Sequence, residues 1–197
     1  MGKLVDYYFS PASPWSYLGH ARFADCVRRH GAAIRVKPVD YGVIFPQSGG
    51  LPLGKRAPQR QAYRLMELAR WKEFLGLPLN LQPKFFPVDA TLAAEMVIAC
   101  EPLGADRQMR LADALFRALW AEEKNIADAE TLRALAHGAG FDGPGLLAEA
   151  AGAKAKYDAY TQEALTRGVF GAPTYVYRDE LFWGQDRLDF LERALAK

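Results

Sequence analysis

Two periodicities alternate along the chain, and their order predicts the architecture. Leu4 to Phe9 is an apolar run that reads as a strand. Trp15 to Arg29 then repeats apolar side chains, among them Leu18, Ala21 and Val27, at helical spacing. Gly31 follows where a left-handed stop belongs. Ile34 to Val39 alternates apolar and polar positions, the period of a half-buried strand. If the two strands are parallel neighbours, this is a right-handed βαβ unit. Tyr41 to Pro58 is expected to be a loop, because Pro46, Gly49, Gly50, Pro52, Gly54 and Pro58 break any long regular element. It is long for a compact domain, so it is either disordered or functional. Gln59 to Leu75 is a helix stopped by Gly76, and Pro78 to Pro87 is extended.

From Asp89 to about Gly168 the pattern is almost wholly helical. Asp89 is expected to cap Thr91–Cys100, and Asp106 to cap a run through Trp120. Helices over Ala127–Ala139, Pro144–Ala151 and Lys154–Arg167 follow. Strand signals return at Thr174–Tyr177 and Leu181–Trp183, separated by the turn-like Arg178-Asp179-Glu180. A last helix, Asp186 to Ala196, opens on Asp186 as its N-cap. The order is therefore βαβ, a helical block, then ββα.

Composition narrows the class. A chain of 197 residues makes one domain with an insertion, or two small domains. With 50% hydrophobic and 24% charged residues it has the balance of a soluble globular protein whose core needs no disulfides. A net charge of +2 is too small to argue for nucleic acid or a membrane surface as partner. Neither a signal peptide nor a membrane span is expected. Cys26 and Cys100 stand in no metal or redox spacing, so both read as buried free thiols; no metal site is expected, and the cytoplasm is the default compartment. His20, His30 and His137 lie on helical stretches, as surface or satisfied core histidines.

The chemistry gathers at Tyr8 to Tyr17. Ser13-Pro14 reads as N-cap and first helical residue, since proline loses no needed N–H there. Ser13 then sits where free backbone N–H groups and the positive end of a helix dipole converge, a site that favours an anion.

Strand, Xaa-Pro-Xaa-Xaa, helix resembles the way the thioredoxin superfamily presents its Cys-Xaa-Xaa-Cys. Here the four residues are Ser13-Pro14-Trp15-Ser16. The chain looks like the branch holding kappa-class glutathione transferases and 2-hydroxychromene-2-carboxylate isomerases. Arg70-Trp71, Gly76-Leu77-Pro78, Phe86-Pro87, the run Val169 to Thr174 and the run Phe182 to Leu188 carry that resemblance, and their spacing fits the isomerases better. It implies an α/β fold, a thioredoxin-like domain (βαβ…ββα) with a large all-helical insertion. Residues 1–58 and 166–197 would form the glutathione-binding domain and 59–165 the insertion.

Glutathione is the implied cofactor. Ser13 would donate a hydrogen bond to its sulfur. Ala172-Pro173, expected to be a cis bond, would pair its backbone with the cysteinyl residue. Gln185 and Asp186 would meet the γ-glutamyl end. Arg60 matches the cation that meets the glycyl carboxylate, though it reads equally as a solvated surface arginine. The family's asparagine in the preceding loop is missing; Gln47 and Ser48 are the nearby polar groups.

An aromatic keto-acid is the implied second substrate. Trp15, Phe45, Phe85, Phe86 and Trp183 are candidate walls, with Lys55, Arg56 or Lys84 for its carboxylate. Each of those aromatics also reads as plain core. The resemblance further implies a homodimer. A kappa-like transferase and a non-catalytic glutathione-binding module stay open as alternatives, whereas Ser13 and Ser16 cannot form the disulfide of a dithiol oxidoreductase.

Overall fold

The computed structural model describes residues 2–197; Met1, where the first expected segment begins, lies outside them. Strand β1 (Leu4–Phe9) is followed by α1 (Pro14–Arg29) and β2 (Ala33–Pro38). Strands β3 (Thr174–Tyr177) and β4 (Glu180–Trp183) complete a sheet of order β2-β1-β3-β4. β1 and β2 are parallel, whereas β3 runs antiparallel to both β1 and β4. This is the thioredoxin-like arrangement expected from the element order.

Helices cover both faces of the sheet, which is why β1 is apolar on both faces except for the buried Asp6, rather than alternating with polar residues. Tyr7 stacks on Phe9 and Tyr175, with centroids 4.6 and 5.4 Å apart, on the face covered by α1. Tyr8 and Val176 point the other way, into a smaller cluster with Tyr41, Ile44 and Ala164. Between β2 and β3 the chain is helical: α2 (Tyr41–Ser48), α3 (Pro58–Leu75), α4 (Thr91–Ala99), α5 (Ala105–Trp120), α6 (Ala129–Gly138), α7 (Gly143–Ala150) and α8 (Lys154–Thr166). Helix α9 (Leu188–Leu195) closes the fold. α1 packs on both α5 and α9, so one core joins the sheet to the helical block.

Three expectations need correction. The segment Tyr41–Pro58 is not a plain loop, since its first eight residues form α2. Asp40 caps that helix through the Gly42 N–H at 2.7 Å, and Tyr41 and Ile44 are buried. Pro46 sits near the end of so short a helix, where it removes a single backbone bond. Asp106 lies inside the first turn of α5, whose cap position is Gly104. Asp186 is not an N-cap: Gly184, with φ 103°, leads into a 3₁₀ turn over Gln185–Arg187, and the Asp186 carboxylate accepts from Arg187 Nη1 at 2.6 Å.

His20 is a satisfied core histidine. Nε2 donates to the Met109 carbonyl at 2.9 Å, which leaves Nδ1 to accept from the Tyr7 hydroxyl at 3.3 Å. Burial lowers its pKa, so the ring is neutral. Cys26 and Cys100 are buried and unpaired, and burial pushes each thiol up to about 11.

Candidate active site

The antiparallel register sets Thr174 opposite Tyr8, so the segment entering β3 runs alongside the turn that leaves β1. Ser13 is extended at φ −83° and ψ 120° and caps α1. Its N–H donates to the Ser10 carbonyl at 2.9 Å, and its Oγ accepts the Ser16 N–H at 3.1 Å. One acceptor lone pair of the hydroxyl is thus taken by the backbone, and its hydrogen has no acceptor among the described residues. Pro14 has no N–H, and the Trp15 N–H has no partner among the described residues. A donor hydroxyl and an unpaired helix N–H therefore lie together at a positive dipole end.

Across from this turn, Ala172-Pro173 is a cis bond, as expected. The Ala172 N–H and carbonyl have no partner among the described residues. The loop is held instead at Gly171, whose carbonyl accepts from Tyr41 Oη at 2.8 Å and Thr174 Oγ1 at 2.6 Å. Pro173 is tied to β4 through its carbonyl, which accepts the Gly184 N–H at 2.8 Å.

A cleft of about 560 Å³ opens between these segments and the start of α3. Ser13, Trp15, Ala172, Trp183, Phe86 and Arg60 line it, as do Phe45 and Arg56. Pro173, Lys55, Phe85, Gln185 and Asp186 do not. Phe85 faces a larger depression of about 1020 Å³ beside α5 and α6, away from the α1 N-terminus, with Lys84 Nζ 5.1 Å from its ring. The buried Gln185 side chain accepts from Arg22 Nη1 at 2.7 Å, while its N–H and that of Asp186 have no partner among the described residues.

The lining also includes residues that sequence reasoning missed: Tyr41, Arg64, Phe170 and Gly171. Phe170 packs on Trp183 at 4.7 Å. Gly171 lies under the Trp183 indole, because a Cβ there would sit 2.2 Å from Nε1. Gly171→Ala is expected to push the indole out of the cleft wall. Tryptophan emission should shift, and the overpacking should remove about 1–3 kcal/mol of stability. An unchanged spectrum and melting midpoint would show that the wall does not depend on this contact.

Three arginines face the cleft, and no carboxylate is among its lining residues. Arg56 donates through Nε to the Leu51 carbonyl at 2.8 Å, and burial, then Arg60, lower its pKa. Burial, then Arg56, push Arg64 down to about 10, so it remains charged at neutral pH. The four-residue spacing of Arg56, Arg60 and Arg64 was the available signal, but arginines on a helix ordinarily read as solvated.

A capping serine where the first cysteine of the motif would stand, facing a cis-proline loop across an arginine-lined cleft, defines a serine-bearing protein of the thioredoxin superfamily. The DsbA-like thioredoxin domain family matches residues 4–196. A 2-hydroxychromene-2-carboxylate isomerase of Pseudomonas putida is 32% identical over 98% of this chain and 95% of its own. A solved structure of a 2-hydroxychromene-2-carboxylate isomerase matches with a TM-score of 0.81 and 30% identity, covering 98% of this chain and 94% of that one. Glutathione S-transferase kappa 1 of Caenorhabditis elegans is 24% identical over 98% of this chain and 91% of its own. The chain belongs to the DsbA-like thioredoxin domain family and, within it, to the 2-hydroxychromene-2-carboxylate isomerase family.

Proposed function

We propose that this protein is a glutathione-dependent isomerase of the 2-hydroxychromene-2-carboxylate to trans-o-hydroxybenzylidenepyruvate type. The isomerase relatives support an isomerase activity. The observation that carries the glutathione reading is the Ser13 hydroxyl, with one acceptor lone pair bound to the Ser16 N–H and its hydrogen free beside the unpaired Trp15 N–H. A thiolate is the anion that such a pair suits.

The cleft residues suit the cysteinyl and glycyl parts of glutathione, and Gln185 and Asp186, outside the cleft lining, are the candidates for its γ-glutamyl end. Ala172 offers an unpaired N–H and carbonyl to the cysteinyl backbone in strand-like fashion. Arg60 lies at the cleft for the glycyl carboxylate and can hold it bidentately. The unpaired N–H groups of Gln185 and Asp186 would take the γ-glutamyl carboxylate, with the Asp186 side chain for the ammonium. Gln185 contributes main chain only, since its side chain is committed to Arg22.

When bound, glutathione would supply a thiolate nucleophile for reversible addition to the conjugated double bond of the substrate, the chemistry by which that bond could isomerise without consuming glutathione. Ser13 and the α1 N-terminus favour the ionised sulfur. Lowering a thiol pKa from ~8.5 by one unit takes about 1.4 kcal/mol of preferential stabilisation. A hydroxyl hydrogen bond and a helix N-terminus contribute about 0.5–2 kcal/mol each, enough between them. Trp15, Phe86 and Trp183 supply apolar surface for the aromatic substrate.

Thermal unfolding with reduced glutathione tests this reading. At a hundredfold excess over its dissociation constant, a native-state ligand adds about 2.7 kcal/mol, which raises the midpoint of a chain this size by about 5–10 °C. No shift at several millimolar would overturn it. The kappa relative supports a second reading, a transferase that consumes glutathione. Product analysis separates the two, because only the transferase leaves a lasting conjugate. Among the described residues no helix is long and apolar enough to cross a membrane. A cytoplasmic homodimer is the companion expectation, checked by fractionation and gel filtration.

A further inference from the structure

We propose that Arg64 is the residue that reads the carboxylate of the second substrate. The inference rests on the isomerase reading and adds to it a specificity residue at the cleft's inner end.

Arg64 is only 8% exposed, yet none of its nitrogens has a hydrogen-bond partner among the described residues, and its Nη2 is fully buried. Its guanidinium lies 5.2 Å from the Phe86 ring and 5.9 Å from the Trp120 ring. Those two ring faces compensate part of the charge, but they accept no hydrogen bond in the guanidinium plane. Trp120 Nε1 is buried and unpaired as well, so this corner holds two unpaired donors. A buried cation without an anion is costly, and such a group asks for a carboxylate.

The other charged groups at the cleft have partners, bound or expected. Arg56 donates to the Leu51 carbonyl and lies 5.9 Å from the Phe45 ring. Arg60, exposed one helical turn before Arg64, is placed for the glycyl carboxylate. The thiolate goes to Ser13 and the γ-glutamyl end to Gln185 and Asp186. That leaves Arg64, beside the packed Phe86–Trp120 pair and in the same cleft as Ser13, for an anion that glutathione does not provide. A planar aryl acid matches it: the ring lies against Phe86 and the carboxylate takes the guanidinium fork. Lys55 and Lys84, the cations first considered for this role, do not line the cleft.

The probe pair is trans-cinnamate and its uncharged amide, titrated calorimetrically into the protein with and without glutathione. Wild type is expected to bind the carboxylate at least about thirtyfold more tightly than the amide. Arg64→Met should abolish that preference and raise KM for the chromene carboxylate by a similar factor. Its glutathione-induced rise in melting midpoint should match that of wild type, and Arg64→Lys should recover part of the preference. Equal binding of acid and amide by wild type overturns the proposal, as does a preference that survives in Arg64→Met. Loss of the glutathione response in Arg64→Met overturns it too, by assigning the guanidinium to glutathione. Absence of that response in wild type instead overturns the glutathione reading, while the acid-versus-amide comparison still reports on Arg64.

Discussion

Ser13→Ala is expected to lower glutathione-dependent turnover by about ten- to a hundredfold while the fold is retained. The hydroxyl is placed to donate to a sulfur that carries charge, and hydrogen bonds to charged groups contribute about 1.5–3 kcal/mol, close to that range in rate. The mechanism makes a second, independent signature. The ultraviolet titration of bound glutathione should show its thiol pKa about one unit higher in the mutant than in wild type. Ser13 also caps α1, so its loss removes about 1 kcal/mol of stability and lowers the midpoint by a few degrees. That modest cost separates chemistry from unfolding. A mutant with wild-type rate and wild-type thiolate titration would leave Ser13 as a helix cap alone.

Asp6→Asn is expected to produce the largest loss of stability, far from the cleft. Asp6 lies on β1, and its side chain is only 3% exposed. It accepts from Arg35 Nη2 at 2.7 Å and Arg167 Nη1 at 2.6 Å, with Lys37 Nζ 3.1 Å away. Burial alone would raise the Asp6 pKa, but Arg35 and Lys37 outweigh it and hold the carboxyl below its ordinary 3.8. A depressed folded-state pKa means that this contribution is complete above about pH 4 and disappears as pH falls through the folded value. Removing the anion leaves Arg35 without its carboxylate, while Lys37 keeps Glu163 at 2.6 Å and Arg167 keeps Asp179 at 3.0 Å; breaking a buried pair costs about 3–5 kcal/mol where the partner left behind is itself buried. Arg35 is half exposed, which places the effect near 3 kcal/mol, or about 6–12 °C in midpoint. Melts of wild type and Asp6→Asn across acidic pH check both parts. The two curves should converge below pH 4, and coincidence at neutral pH would show that the cluster adds nothing.

Much of the fold was legible because its signals are local. The strand before Ser13, the capping serine and proline, the left-handed glycines at 31, 76 and 168, and the βαβ…ββα order each depend on residues within a turn or two of one another. Most helix ends fall within two residues of their expected positions for the same reason. Helix α2 was not legible, because what holds it is distant. Tyr41 and Ile44 are buried against β3 and α8, and the Asp40 N–H donates to Thr161 Oγ1, 121 residues away, at 3.0 Å. Proline and glycine content predicts a loop, and tertiary burial overrides it.

The same division runs through the site. By itself the sequence determined that a serine would cap a helix at the end of the first strand, because cap chemistry is set by neighbouring residues. It also determined the family, through motifs spread over nearly the whole chain. Only the tertiary structure decided which side chains share the cleft. Phe85 and Phe86 are adjacent and chemically alike, yet one faces the far depression and the other the cleft, because the stretch expected to be extended turns at Lys84-Phe85, where the Phe86 N–H donates to the Pro83 carbonyl at 3.1 Å. Gln185 is drawn inward by Arg22 and by the bare surface of Gly19, where a Cβ would come within 2.8 Å of its own. Arg64 is one of several arginines in α3 until Phe86 and Trp120, from elements distant in the chain, close over it and remove it from water. Burial is a property of what packs around a residue, and a local pattern does not carry that information.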